Sequence, residues 1–236
     1  VAQSAPPIQP QPVSPAPIHA RPELKPAASA GAAIERNSEV DRLCEMILQA
    51  GPAARRVVVI GIGQSDSFST SLQLARTLTA RTHVVMVDVP GHRDAMGAIA
   101  EQTSAPGLHD LVARDDVSFG DIVTRDRMSK LHLVMAGQKK FDYAVLESPR
   151  LVVALDALAR VYDHVVIDAG RVEDVGDSMV FKDARAVLVV DPRIDDVSLA
   201  NAKRRLLSLG FAHLALVSAH IGAAQNPAPR ANFAYA

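Results

Sequence analysis

The sequence predicts an α/β domain: a doubly wound, mostly parallel sheet flanked by helices. Three observations carry this. Six short runs, at 57–61, 83–88, 131–135, 164–168, 186–190 and 213–218, are valine-rich and apolar throughout rather than alternating, as strands buried on both faces are. Helical periodicity lies between most of them, clearest at 68–80, 148–161 and 195–209, which is the spacing of a parallel sheet joined by crossover helices. Trp is absent and aromatics make up only 4% of the chain, so the core is built from Val, Leu, Ala and Ile.

In chain order, residues 1–33 hold eight of the fifteen prolines, with alanine, glutamine and serine, and read as a disordered, partly extended linker. A first helix is expected over 34–50, with Val40, Leu43, Met46 and Ile47 on one face and Gly51-Pro52 as its stop. A strand at 57–61, a small-residue loop at 61–67, a helix at 68–80 and a strand at 83–88 follow. The region 94–129 is less regular, with short helices expected at 107–112 and 119–123. The remaining strands and helices complete one domain over 34–220, and the Pro/Ala-rich stretch 221–236 reads as a flexible tail.

With 236 residues, 48% of them hydrophobic, the chain supports one substantial core. A formal net charge of −1 gives no electrostatic case for nucleic-acid binding. The single Cys44 excludes an internal disulfide. No apolar run approaches 18 residues, so no transmembrane segment is expected within these residues. The chain starts at Val1 with no signal-peptide pattern, and the expectation is a segment of a larger protein.

The strand Val57-Val58-Val59-Ile60, the loop from Gly61 to Ser67 and the helix from Phe68 have the layout of a phosphate-binding P-loop. In such a loop glycines let backbone N–H groups curl around phosphate, a lysine reaches the β/γ-phosphates, and a Ser or Thr hydroxyl binds Mg²⁺. Counted back from Leu74-Ala75, the candidate phosphate-loop residues are Gly63, Gln64, Ser65, Asp66, Ser67, Phe68, Ser69 and Thr70. Ser67 takes the lysine place, Asp66 the glycine before it, and Phe68 the hydroxyl place, with Ser69 or Thr70 able to shift in. No lysine occurs between Lys25 and Lys130, so no register supplies one. A carboxylate such as Asp66 at about 4 Å from phosphate is unfavourable by roughly 4 kcal/mol at a surface-like dielectric. The helix N-terminus returns roughly 0.3–1 kcal/mol to an anion, which does not offset that. No cofactor is expected, and at most weak Mg-ATP binding.

Two aspartates end apolar strands: Asp88 after Val84-Val85-Met86-Val87, and Asp168 after Val165-Val166-Ile167. Both are candidate catalytic or metal-positioning carboxylates, if any activity remains, and they are expected to share one crevice at the carboxyl edge of the sheet. The histidines His83, His92, His109, His132 and His164 are scattered without metal-ligand spacing, so no metal site is assigned. Ser65, Ser67, Ser69, Thr70 and Ser71 have no His or Asp partner placed by sequence, so no nucleophile is assigned.

Taken together, these stretches resemble the cytosolic domain of bacterial tyrosine kinases (BY-kinases) attached to polysaccharide co-polymerases. Beyond the segments already quoted, the resemblance rests on Gly107-Leu108-His109-Asp110-Leu111, the segment 119–123, Leu131-His132-Leu133-Val134-Met135-Ala136-Gly137, Ala157-Leu158, Tyr162-Asp163-His164 and the segment 183–190. It spans roughly 34 to 220. The departures are equally specific. The family's second strand ends Asp-x-Asp with the second carboxylate catalytic, and here Asp88 is followed by Val89 and Pro90. The family lysine is missing, its C-terminal tyrosine cluster is reduced to Tyr235, and its Glu-x-x-Arg-x-x-Arg oligomerisation motif reads Glu39, Arg42, Glu45.

The resemblance therefore implies a pseudokinase with a scaffolding or regulatory role in exopolysaccharide or capsule polymerisation and export. It would sit on the cytoplasmic side of the bacterial inner membrane as part of a larger membrane protein. Its partners would be copies of itself and the membrane polysaccharide-export machinery. Two alternatives stand beside it. One is an active tyrosine autokinase in which Arg76 or Arg93 replaces the lysine; the other is a deviant MinD/ParA-type positioning ATPase, as in pilus assembly.

Overall fold

The computed structural model describes residues 38–137, 147–176, 181, 184–211 and 213–218. The linker at 1–33, the tail at 221–236 with Tyr235, the start of the first helix and Asp183 lie outside the described residues. Helix α1 (Ser38–Ala50) runs through a 3₁₀ turn (Gly51–Ala54) into β1 (Arg56–Ile62). Helix α2 (Ser67–Leu78) leads to β2 (Val84–Asp88), followed by three short helices, α3 (Arg93–Ile99), α4 (Leu108–Ala113) and α5 (Phe119–Ile122). Strands β3 (Val123–Arg125) and β4 (His132–Val134) come next, then α6 (Pro149–Val161), β5 (His164–Arg171), β6 (Arg185–Val190), α7 (Asp196–Ser208) and β7 (Leu214–Ser218).

The seven strands form one sheet in the order β3-β4-β2-β5-β1-β6-β7. Every pairing is parallel except β3 with β4. The doubly wound, mostly parallel fold expected from the valine runs is therefore present. Its cause shows in β1. Val58, Ile60 and Ile62 enter one core and Val57 and Val59 the other, because successive side chains of a strand point to opposite faces. Helices α1, α2 and α3 cover one face through Val40, Leu43, Ile47, Leu74, Leu78 and Met96. Helices α4, α6 and α7 cover the other through Leu108, Leu111, Leu151, Leu155 and Leu206. Cys44 lies in the first of these layers, where burial pushes its thiol up to about 12, so it is an inert core residue.

Three details differ from the sequence reading. Val123 does not end a short helix over 119–123; the helix stops at Ile122 and Val123 opens β3. Its β-branched pair Val123-Thr124 is antiparallel to Val134 and Leu133, a three-residue strand too short to show a period. Helix α3 was not separately expected. Asp168 does not close its strand: β5 continues to Arg171, past a register shift against β1 between Val59 and Gly61.

Candidate functional site

The site is built at the carboxyl edge of the three central strands. Asp88 and Asp168 are register partners on the adjacent parallel strands β2 and β5, so both carboxylates lie side by side at one edge of the sheet. Neither is accessible: Asp88 is 1% exposed and Asp168 0%. Asp88 Oδ1 accepts from the Gly91 amide at 3.0 Å, and its Oδ2 from the His92 amide at 2.7 Å. Asp168 Oδ1 accepts from Ser67 Oγ at 2.7 Å and from the Gly170 amide at 3.1 Å. Asp168 Oδ2 is buried and accepts no hydrogen bond. His92 Nδ1 lies 3.3 Å from it, and that same nitrogen lies 3.0 Å from Asp88 Oδ1. Leaving a buried acceptor unpaired costs about 1–3 kcal/mol.

His92 is thus the third member of the cluster, placed between the two carboxylates by the turn from β2 into α3. Its ring also tilts against Phe68, with centroids 5.0 Å apart. The hydrogen bond with Asp88 raises its pKa above the ordinary histidine value, against the opposing effect of burial. Burial pushes Asp168 up to about 6, although the bonds from Ser67 and Gly170 pull the other way. Sequence reasoning missed His92 because it lies on no strand or helix that fixes its direction; only its distance of four residues from Asp88 could have pointed to it.

The loop before α2 is satisfied by the chain itself. Ser65 Oγ accepts from the Ile62 amide at 2.8 Å and lies within bonding reach of the Ile62 and Val189 carbonyls. The Gln64 amide, after Gly63 at φ 72°, donates to Asp191 Oδ2 at 3.3 Å. Asp191 is held down to about 2 by hydrogen bonds from the side chain and backbone of Arg193, so its carboxylate stays ionised and paired with the exposed Arg193 guanidinium at 3.1 Å. Asp66 is the N-cap of α2: its carboxylate accepts from the Phe68 and Ser69 amides at 3.0 and 3.3 Å, and from Ser69 Oγ. The helix amides that would greet an anion are therefore taken by a carboxylate already in the chain.

Ser67, at the lysine place, is 5% exposed and committed to Asp168; Phe68, at the hydroxyl place, is 7% exposed and packs in the core. Thr70 is only half-buried. Pro90, where the family has its second carboxylate, approaches Gly170 so closely that a Cβ there would meet Pro90 Cγ at 2.8 Å. Arg76 pairs with Asp126 through Nε at 2.9 Å and a second nitrogen at 2.7 Å, which removes it as a substitute for the lysine. Arg93 lines a cavity of about 40 Å³ beside Asp88, together with Gly91, Met96 and Gly137, far below the ~300 Å³ at which small-molecule sites begin. The described residues thus fit Mg-ATP poorly. They supply no cation within the loop, the Asp66 and Asp191 carboxylates occupy its amides, and Arg193 beside it is already paired with Asp191.

The chain was compared with known proteins. No family model matches it, and no curated protein matches it. Solved structures do. The VpsO kinase domain superposes with a TM-score of 0.66 at 19% identity, over 76% of this chain and 91% of its own. The kinase domain of the Escherichia coli tyrosine kinase ETK gives 0.64 at 17% identity, over 83% of this chain and 76% of its own. The fold is that of the bacterial tyrosine kinase domains. It is also the P-loop fold more widely, since the MinD cell division protein of Aquifex aeolicus superposes with a TM-score of 0.52 at 17% identity, over 70% of this chain and 68% of its own. The loop, Asp88 and Asp168 lie at the carboxyl edge of the sheet, where open α/β folds place ligands. Among the described residues no helix is long and apolar enough to cross a membrane.

Proposed function

We propose that this is a catalytically degenerate, BY-kinase-like cytosolic domain that scaffolds or regulates exopolysaccharide or capsule polymerisation and export. It would work from the cytoplasmic side of a bacterial inner membrane as part of a larger protein. The observation that carries the reading is the self-closed phosphate loop. Asp191 takes the Gln64 amide, Asp66 takes the Phe68 and Ser69 amides, and the Ser67 hydroxyl is given to Asp168, so these groups already have partners within the chain. The polysaccharide role rests on the motif resemblance. Resemblance to BY-kinases is supported over the MinD/ParA reading by the higher TM-scores.

Calorimetry on the purified chain tests the dead site. Mg-ATP is expected to bind with millimolar affinity or not at all, and a low-micromolar constant would revive the kinase reading, with Arg93 as its cation. Ser67→Lys alone is expected to recover little, because it leaves Asp66, Phe68 and Pro90 in place and breaks the Ser67–Asp168 hydrogen bond. Strong ATP binding by that variant would show that the lysine place was the one defect.

A further inference from the structure

We infer that Asp88, His92 and Asp168 form a binding site for a late first-row divalent metal ion of the zinc type, bound without nucleotide. The inference does not rest on the scaffolding role proposed above. Three ligand atoms converge, one from each residue, all within 4.8 Å of one another. His92 Nδ1 is 3.0 Å from Asp88 Oδ1 and 3.3 Å from Asp168 Oδ2. An ion bonded at about 2.0–2.2 Å to nitrogen and oxygen sets neighbouring ligand atoms about 3.0–3.4 Å apart, and both separations from His92 Nδ1 fall in that range.

The second observation is the orphaned oxygen. Asp168 is 0% exposed, its Oδ1 is tied to Ser67 and Gly170, and its Oδ2 faces His92 with no hydrogen bond. A buried lone pair held in place by bonds to the other oxygen of the same carboxylate is what a metal ligand requires. Asp88 is oriented by the Gly91 amide on Oδ1 and the His92 amide on Oδ2, which leaves Oδ1 a second lone pair for the ion. Two carboxylates bring two negative charges into a buried pocket, which a divalent cation neutralises, and the imidazole selects zinc-like ions over magnesium. His92 is the open side, its side chain 35% exposed, and so provides the entry path. A nucleotide-bound Mg²⁺ would draw on phosphate oxygens and a loop hydroxyl; this site draws on neither, and its nitrogen ligand lies outside the P-loop.

The test is calorimetry of the full chain, stripped with chelator, against zinc chloride and separately magnesium chloride, with no nucleotide present. One equivalent of zinc is expected at low-micromolar affinity or tighter, at least 100-fold tighter than magnesium. His92→Ala and Asp168→Asn should each weaken zinc at least 30-fold, while His83→Ala, which removes an exposed histidine away from the cluster, should leave it unchanged. Zinc should raise the melting temperature of the wild type but not of His92→Ala, and X-ray absorption should show a shell of light N/O ligands with the multiple-scattering signal of one imidazole, lost in His92→Ala. Should His92→Ala not fold, Asp168→Asn and the absorption spectrum decide the matter. Zinc weaker than 100 µM, or bound equally by both site variants, overturns the proposal. Neither result touches the dead-site reading, which falls only if ATP binds tightly.

Discussion

At the residue scale the most consequential substitution is not the missing lysine but the aspartate beside it. Asp66 caps α2 with two amide bonds, so it contributes to the fold while occupying the anion-binding end of the helix. Asp66→Ala is expected to cost about 1 kcal/mol, measured by denaturant unfolding, and to leave ATP affinity in the millimolar range; no loss of stability would show that the cap is energetically idle. Arg76 is a second case. It pairs with Asp126, whose side chain is 0% exposed. Burial alone would raise the Asp126 carboxyl, but hydrogen bonds from Arg76 and Ser129 outweigh it and hold the group below the usual carboxylate range. A depressed folded value stabilises the domain above the unfolded pKa of about 3.9, and that stability is lost as pH falls through the lower folded value. Arg76→Ala should therefore destabilise by roughly 3 kcal/mol near neutrality, with a flatter loss of stability between about pH 5 and pH 3 than the wild type. Parallel acid-unfolding curves for the two proteins would contradict this.

At the element scale, the turn into α4 is set by close backbone approach. Leu108 and His109 donate to the Met135 and Ala136 carbonyls just beyond β4, and the Gly107 amide donates to Asp110 Oδ2 at 2.8 Å. A Cβ at Gly107 would meet Gly137 N at 2.1 Å and its Cα at 2.3 Å, contacts with backbone that no rotamer change relieves. Gly107→Ala is expected to destabilise by about 3 kcal/mol or more, and wild-type stability in thermal unfolding would mean that the two segments separate freely. The Gly-Leu-His-Asp-Leu stretch was legible as a helix start. Its contact with Gly137, thirty residues on, was not, because a glycine needed for space leaves no local pattern.

At the scale of the whole molecule, the Glu39, Arg42 and Glu45 positions stay on the surface, but two of the three are tied to other parts of the chain. Glu39 accepts from the Ser218 amide at 2.8 Å, joining α1 to β7, and Glu45 pairs with Arg81 at 2.6 Å. Arg42 is exposed. Changing Glu39 and Arg42 together to alanine is still expected to reduce self-association and alter polymer length, but Glu39→Ala alone should also lower the melting temperature by loosening β7. Arg42→Ala separates the effects: association in the ultracentrifuge should weaken while the melting temperature stays put. If Arg42→Ala associates like the wild type and yields polymer of normal length, scaffolding through this helix is wrong.

Periodicity and local chemistry settled the sheet, its two helical layers and the placing of Asp88 beside Asp168, since apolar runs report burial on both faces without knowledge of their partners. Three-dimensional closure alone decided the rest. It turned Asp66 from a repulsive charge into a helix cap and gave Ser67 to Asp168. It set Arg76 on Asp126, fifty residues away, and swung His92 between two carboxylates from strands eighty residues apart. Those contacts join side chains far apart in the chain or set in turns, and no period in the sequence encodes them.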